Sequence, residues 1–375
     1  MKWVKFFILS ILSYCLFYVF AAAQARPQDP QAPFPYQSIE IAYDNQNAQD
    51  VRLAGTLVIP EGEQHFPVVL FISGSGLQDR DQTIFNHRPF AVMADYLARQ
   101  GIASLRVDDR GFGESTGDVQ NATTLDFASD VEAGIAFLKT RPEISQENIG
   151  LIGHSEGGVI APIVAAKPEN KISFIVLLAG TGVPGDRVLL EQIVAIAQAQ
   201  GMSDQKMELQ RQLARTIIET AKESQDSREV LTERLVEISI NHLTEIGVIG
   251  DSTSRRELRQ IRGDLENEMQ SFASPWQRFF LNHDPASVLT ELTSSVLALN
   301  GSNDLQVDAQ INLAGIRDTL ENSAHPDFTV LEIPEVNHLF QTSETGSVDE
   351  YEEIEETISP YVLGIIGDWI EQRIK

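Results

Sequence analysis

The segment Gly-His-Ser-Glu-Gly, residues 153–157, constrains the fold of this chain more than any other. It follows the apolar run 149–152, which predicts a strand, and it leads into the helix-prone stretch 158–166. Its two outer glycines allow a strand to turn sharply into a helix, and the serine between them is then strained and exposed. Ser155 is therefore predicted to be a nucleophile at a tight strand-to-helix turn.

An acid and a base follow this serine along the chain. Asp304 comes after the apolar run 295–300. His338 comes after the next apolar run, 328–333. A hydroxyl is a poor nucleophile at neutral pH, so it needs an adjacent base, and the imidazolium that forms needs a fixed carboxylate. We predict that Ser155 attacks, His338 transfers the proton and Asp304 orients the imidazole.

The other histidines compete poorly for the role of base. A histidine in a loop is usually a surface residue, and an aspartate beside glycine is usually there for the turn. His154 occupies the variable position of the Gly-x-Ser-x-Gly segment, where we expect it to pack. The histidines that have no such context are His65, His87, His242, His283 and His325.

A tetrahedral oxyanion also needs preorganised N–H donors. The first predicted donor is the backbone N–H of Glu156, which begins the helix after the nucleophile. The second is expected in the loop 73–81, where the N–H of Ser75 is favoured and that of Gly76 is the alternative. The charged part of this loop, 78–81, either orients substrate or stiffens the loop through ion pairs.

Strand-like apolar runs alternate with helical patterns along most of the chain. Such alternation is typical of βαβ units and predicts a mostly parallel sheet with helices on both faces. The strand-like runs are 38–43, 51–59, 67–72, 102–107, 148–152, 172–178, 295–300 and 328–333.

About a hundred residues, 182–285, separate the sixth run from the seventh, too many for a simple crossover. Apolar residues recur there at helical spacing, as at Leu189, Ile193 and Ile196. The segment therefore predicts a helical cap. We expect this insertion to lie over Ser155 and to wall a substrate pocket, although its apolar stripes could serve mainly helix packing.

These segments together resemble bacterial carboxylesterases of the serine-aminopeptidase-like branch of the α/β-hydrolase superfamily. Besides the Ser155 segment, the likeness is carried by the loop Gly-Ser-Gly-x-Gln-Asp-Arg-Asp at 74–81 and the loop Asp-Asp-Arg-Gly-Phe-Gly-Glu-Ser at 108–115. It extends over roughly residues 38–372. The resemblance implies an α/β-hydrolase fold with a mostly parallel eight-stranded sheet flanked by helices and a helical cap between strands six and seven. The 108–115 loop is usually architectural in such enzymes.

The activity that the resemblance implies is cleavage of carboxylic esters, of short to medium acyl chains, through an acyl-enzyme on Ser155. No cofactor is implied, and no cluster of His, Cys and carboxylates with the spacing of metal ligands occurs in the sequence. An exported serine peptidase or amidase, or a thioesterase, would use the same three residues. A non-catalytic binding protein on this fold is a further alternative, which the complete set of Ser155, Asp304 and His338 disfavours.

The beginning of the chain has the pattern of a secretory signal. Lys2 and Lys5 precede the apolar run 6–20, and Ala-Gln-Ala at 23–25 offers a cleavage site. We expect residues 1–25 to be removed and the enzyme to be periplasmic or secreted, with no stable membrane attachment afterwards. A retained membrane anchor is the alternative.

The mature chain is expected to begin with a proline-rich lead-in, 26–37, that is extended and poorly packed. The α/β core is expected to comprise 38–181 and 286–375. The only cysteine, Cys15, lies in the predicted signal, so the mature protein could form no disulfide and must be stabilised by its core.

The charge balance is strongly acidic, with 54 Asp and Glu against 28 Lys and Arg and a net charge of −26. Such a surface repels polyanions. We therefore expect a small-molecule ester as partner and no nucleic acid, while the sequence leaves the oligomeric state open.

Export from a bacterial host should yield a mature chain that begins at Arg26, because Ala23 and Ala25 satisfy the small-residue requirement of signal peptidase. N-terminal sequencing and the intact mass of the exported protein check this. An Ala25→Lys variant should stay unprocessed. A wild-type protein that keeps Met1 and sediments with membranes would instead indicate a retained anchor.

Overall fold

The computed structural model describes residues 25–62 and 65–374. The predicted signal peptide therefore lies outside the described residues except for Ala25. Among the helices described, none is long and apolar enough to cross a membrane. The chain divides into two compact units, a smaller one formed by 184–283 and a larger one formed by the described residues on either side of it.

The larger unit contains an eight-stranded sheet in the order β1-β2-β4-β3-β5-β6-β7-β8. Strand β2 is antiparallel to both of its neighbours, and every other pair is parallel. The predicted mostly parallel eight-stranded sheet is confirmed. The strands are β1 (Tyr36–Asp44), β2 (Arg52–Pro60), β3 (Phe66–Ile72), β4 (Ala103–Val107), β5 (Ile144–His154), β6 (Phe174–Leu178), β7 (Ser295–Gly301) and β8 (Phe328–Ile333).

Helices flank this sheet, and strands that are covered on both faces read as continuous apolar runs. Every residue of β6 is buried, as are residues 149–154 of β5. The helices of the larger unit are α1 (Pro89–Ala98), α2 (Thr124–Lys139), α3 (Gly157–Ala165), α9 (Ala286–Leu289), α10 (Ala309–Asn322) and α11 (Pro360–Glu371).

The carboxyl ends of the parallel strands carry the residues singled out in the sequence. Ser155 follows β5, Asp304 follows β7 and His338 follows β8. The 73–81 loop follows β3. Because parallel strands end at one edge of a sheet, these four segments converge there.

The smaller unit is helical. Its helices pack around an apolar cluster that includes Leu213, Ile217, Leu235, Met269 and Phe272. The apolar residues that recur at helical spacing in the sequence therefore pack one helix against another within this unit. The helices are α4 (Gly185–Ala199), α5 (Asp204–Glu223), α6 (Arg228–Glu245), α7 (Arg255–Phe272) and α8 (Pro275–Asn282).

No residue of the predicted lead-in, 26–37, is buried, but two side chains near its start bind the larger unit. The Arg26 guanidinium donates to the carbonyls of Ile354, Phe85 and Glu352. The side chain of Gln28 donates to the carbonyl of Ile358 at 2.8 Å. These side-chain hydrogen bonds connect the start of the segment to distant parts of the larger unit. The proline content of the segment could not predict them.

The 108–115 loop after β4 is anchored by a buried ion pair. Arg110 donates to both carboxylate oxygens of Asp130 in α2, at 2.6 and 2.9 Å, and both residues are buried. Asn45 donates to the same carboxylate at 2.8 Å. This pair fastens the loop to the helix beneath it, which fits the architectural role that the family resemblance implies.

Arg110→Met should lower the free energy of unfolding by about 3–5 kcal/mol, since it leaves the Asp130 carboxylate buried without its cation. Urea unfolding measures the change. The matched control is Arg52→Met, which breaks an exposed pair with Asp44 and should cost less than about 1 kcal/mol. Equal losses in the two variants would contradict the buried-pair interpretation.

Candidate active site

Ser155 occupies a strained turn between β5 and α3. Its φ is 55°, and its N–H donates to the carbonyl of Leu178 at 2.8 Å. A Cβ on Gly153 would lie 2.0 Å from the carbonyl oxygen of Gly157, and one on Gly157 would lie 2.1 Å from that of Ile72. Only glycine fits at either position, so the turn closes tightly against the end of β3 and leaves the Ser155 side chain partly exposed.

The structure brings the predicted acid and base together. His338 Nδ1 lies 2.8 Å from Asp304 Oδ2. The other oxygen, Asp304 Oδ1, accepts from the N–H groups of Gln306 at 2.8 Å and Val307 at 2.9 Å. Because the carboxylate is held on both oxygens and buried, it can fix the imidazole with Nδ1 protonated and Nε2 available as a base.

The loop that carries His338 is held by its neighbour Asn337. The buried Asn337 Oδ1 accepts from the N–H groups of Leu339 and Gln341, both at 3.0 Å, and its Nδ2 donates to Gln341 Oε1 at 3.0 Å. A Cβ on Gly301 would lie 2.0 Å from the carbonyl oxygen of Val336. The acid and base loops are therefore packed directly on one another.

His154 is more than the packing residue that the sequence suggested. Its Nδ1 lies 2.9 Å from Gln82 Nε2, and its Nε2 lies 2.8 Å from the carbonyl oxygen of His338. The two imidazole rings are 4.7 Å apart. Burial, with a smaller contribution from His338, lowers the pKa of His154 to about 3. Gln82 gave no signal in the sequence, because it becomes part of the site only through folding.

The loop after β3 passes beside the nucleophile. A Cβ on Gly74 would lie 3.2 Å from Ser155 Cβ. The Gly74 N–H donates to Gln82 Oε1 at 2.8 Å and is occupied. The Ser75 N–H donates to no acceptor among residues 25–62 and 65–374. Ser75, with Gly76 as the alternative, thus remains the predicted oxyanion donor of this loop.

Glu156, the other predicted donor, stands at the N-terminal end of α3. Its side chain is buried and accepts from Thr124 Oγ1 at 2.9 Å. This contact fixes the residue that follows the nucleophile, while the oxyanion role of its N–H stays a prediction.

Asp109 holds both ends of the 73–78 segment. Its carboxylate accepts from Ser73 Oγ at 2.6 Å and from the Gln78 N–H at 2.8 Å, and its own N–H donates to the Gln78 carbonyl at 3.1 Å. It borders a cavity of about 60 Å³. Burial raises the pKa of Asp109 to about 8, against the opposing effect of the two hydrogen bonds.

The charged residues of the same loop form ion pairs. Arg80 donates to both oxygens of Asp108, at 3.1 and 2.8 Å, and to Glu114 at 2.8 Å. Asp81 pairs with Arg106. Of the two alternatives for 78–81, loop stiffening is the one that these contacts support.

The arrangement combines a serine in a strained turn, an imidazole oriented by a carboxylate, and a glycine-containing loop that passes beside the serine. Such a set of groups is suited to acyl transfer. Within the described residues, no group of three His, Cys, Asp or Glu side chains is placed to hold a metal ion.

Residues 49–314 match the family model described as X-Pro dipeptidyl-peptidase (S15 family). The chain belongs to this S15 family. Over 295 residues it is 24% identical to esterase EstD of Thermotoga maritima, a match that covers 79% of this chain but only 60% of that protein. The resemblance to α/β-hydrolase carboxylesterases is confirmed.

Solved structures show the same fold. An esterase of Pyrococcus furiosus superposes with a TM-score of 0.52 at 13% identity, covering 94% of this chain and 97% of its own. Dipeptidyl peptidase 4 of Porphyromonas gingivalis gives a TM-score of 0.51 at 15% identity, covering 90% of this chain and 36% of its own. The predicted α/β-hydrolase fold is confirmed.

The raised pKa of Asp109 makes its contribution to stability depend on pH. Between the unfolded value of 3.8 and about 8, the folded protein keeps a proton that the unfolded chain releases. The stabilisation is therefore complete below pH 3.8 and is lost as the pH rises through about 8.

From about pH 5 to about pH 9, the free energy of unfolding should fall less in Asp109→Asn than in wild type, because the asparagine has no such proton to release. Urea unfolding at the two pH values measures this. Asp118→Asn is the control, because Asp118 is exposed and its pKa is lowered by Asn121. An unchanged pH slope in Asp109→Asn would show that Asp109 is ionised in the folded protein.

Proposed function

We propose that this chain is a serine hydrolase that cleaves carboxylic esters through an acyl-enzyme on Ser155. The observation that carries the proposal is the 2.8 Å hydrogen bond between His338 Nδ1 and Asp304 Oδ2, next to the strained turn that presents Ser155. Membership of the S15 family and similarity to an esterase of Thermotoga maritima support it.

The proposed first half-reaction forms the acyl-enzyme. Ser155 Oγ attacks the ester carbonyl carbon while His338 Nε2 takes the hydroxyl proton. The negative oxygen of the tetrahedral intermediate accepts hydrogen bonds from the N–H groups of Glu156 and Ser75. The bond to the alkoxy group then breaks, and the alcohol leaves with the proton from His338.

The second half-reaction releases the acid. A water molecule gives a proton to His338 Nε2 and attacks the acyl carbon, and the bond to Ser155 Oγ breaks as the proton returns to that oxygen. The Asp304 carboxylate stabilises the imidazolium in both halves. The acyl groups proposed are short to medium in length, as the esterase resemblance implies.

A peptidase or amidase is the second candidate. It is favoured by the description of the matching family, X-Pro dipeptidyl-peptidase, and by the fold shared with a dipeptidyl peptidase of Porphyromonas gingivalis. The same three residues would act, but the base would have to protonate a poorer leaving group. A thioesterase would also use them.

We propose further that the protein acts outside the cytoplasm, in a periplasm or the medium, after removal of residues 1–25. The net charge of −26 of the full sequence, which loss of Lys2 and Lys5 makes still more negative, supports small molecules rather than nucleic acid as partners, because an acidic surface repels polyanions.

Ser155→Ala should lower kcat for the preferred ester by about 10⁶-fold, and Asp304→Asn by about 10⁴-fold. The measurement is hydrolysis of p-nitrophenyl esters from acetate to palmitate beside an X-Pro p-nitroanilide panel. Ser145→Ala, at the other end of β5, is the matched control and should keep wild-type activity.

Ester turnover that depends on Ser155 and is greatest with short or medium chains would support the proposal. A Ser155-dependent preference for the anilides would move the assignment to a peptidase. Ester hydrolysis that survives in Ser155→Ala would contradict the assignment of the nucleophile.

A further inference from the structure

We propose that Gln82 and His154 form a hydrogen-bonded relay that holds the loop after β3 and the backbone of His338 in register across the nucleophile. Both are assigned as positioning residues rather than catalytic ones. The inference deepens the proposed function and rests on it, because the relay acts on the groups that would stabilise and deprotonate the reacting atoms.

The relay has three links, each shorter than 3 Å. The Gly74 N–H donates to Gln82 Oε1 at 2.8 Å. Gln82 Nε2 meets His154 Nδ1 at 2.9 Å, and His154 Nε2 meets the carbonyl oxygen of His338 at 2.8 Å. One continuous path therefore joins the oxyanion loop, the turn of the nucleophile and the loop of the base.

The chemistry of the groups fixes which atom donates and which accepts in each of the three hydrogen bonds. A backbone N–H only donates, so the oxygen of the Gln82 amide must face Gly74 and its NH₂ must donate to His154 Nδ1. A carbonyl only accepts, so His154 Nε2 must carry the proton that reaches His338. All three bonds are satisfied only with a neutral imidazole protonated on Nε2.

Burial makes these bonds difficult to replace with water. Gln82 is 2% exposed, His154 5% and His338 4%. A buried donor or acceptor that loses its partner costs about 1–3 kcal/mol. Gln82 also has a φ of 52°, a left-handed conformation that is uncommon for this residue and that aims its side chain into the site.

The neutral state of His154 suits the reaction cycle. Its ring lies 4.7 Å from that of His338, which becomes an imidazolium in each half-reaction. A second positive ring at that distance would oppose the transfer. Burial lowers the pKa of His154 to about 3, which agrees with the neutral ring that the three hydrogen bonds require.

The relay fixes the loop after β3 and the backbone of His338 relative to Ser155, and the relative position of these groups affects the rate of acyl transfer. A misplacement of about 1 Å in such a site costs about 10²-fold in rate. Interrupting the relay should therefore lower kcat by about 10²-fold while KM changes by less than about twofold, since Gln82 and His154 are buried and act through the backbone of the two loops.

The experiment uses three single variants and one double variant of the full chain. Gln82→Met and His154→Phe keep the volume and remove the hydrogen bonds. His154→Gln keeps an N–H that can reach the His338 carbonyl and should recover kcat to within about tenfold of wild type. The double variant Gln82→Met/His154→Phe should be no slower than the slower single variant, because one broken link disables the whole relay.

The control is Asn170→Ala. Asn170 is a buried amide that donates to the Val164 carbonyl at 2.8 Å, beyond the C-terminal end of α3 and away from the nucleophile. It should lose stability without losing kcat. Steady-state kinetics, the rate of labelling by a fluorophosphonate and urea unfolding are measured on each variant under conditions where it is folded.

The relay would be overturned if the single variants kept the wild-type kcat. It would also be overturned if the losses in kcat of the two single variants multiplied in the double variant, or if His154→Gln were as slow as His154→Phe. If His154→Phe does not fold, Gln82→Met and His154→Gln decide the outcome by the same criteria. Ser155→Ala separates the two proposals. Ester turnover that survives in Ser155→Ala refutes the proposed function, whereas turnover lost there but unchanged in the relay variants refutes the relay alone.

Discussion

The left-handed backbone at Ser155 is the constraint on which the rest of the site depends. A positive φ of 55° at a residue with a Cβ is unfavourable, and it persists because the surrounding structure leaves no alternative. Gly153 and Gly157 let the turn close until it meets the end of β3. That closeness brings the loop after β3 next to Ser155, so the strained turn sets the spacing between these two segments.

Buried hydrogen bonds help to hold the loops at the carboxyl edge of the sheet. Asp304, Asn337 and Gln82 each engage two or more groups from different positions in the chain. Hydrogen bonds are directional, so they fix orientation as well as distance. Asp109 likewise binds both ends of the 73–78 segment after β3, and the ion pairs of Arg80 and Arg110 hold the neighbouring loops.

Much of the fold and the central part of the site could be read from local patterns. The strand-like runs 67–72, 295–300 and 328–333 agree with β3, β7 and β8 to within one residue at each end. For β3 and β7 the reason is that largely buried strands leave continuous apolar runs. Ser155, with an acid and a histidine after later strands, followed from a short motif and its order. Proline content could not predict the partners of Arg26 and Gln28.

The sequence by itself determined the elements, their alternation and the tight turn at Ser155, because periodicity and glycine spacing act over a few residues. The tertiary structure decided which polar side chains meet. Gln82 and His154 are 72 residues apart, and His154 and His338 are 184 apart, so no local pattern records that they form one path. Their contact exists only because parallel strands end at a common edge, where loops distant in sequence are brought within hydrogen-bonding distance.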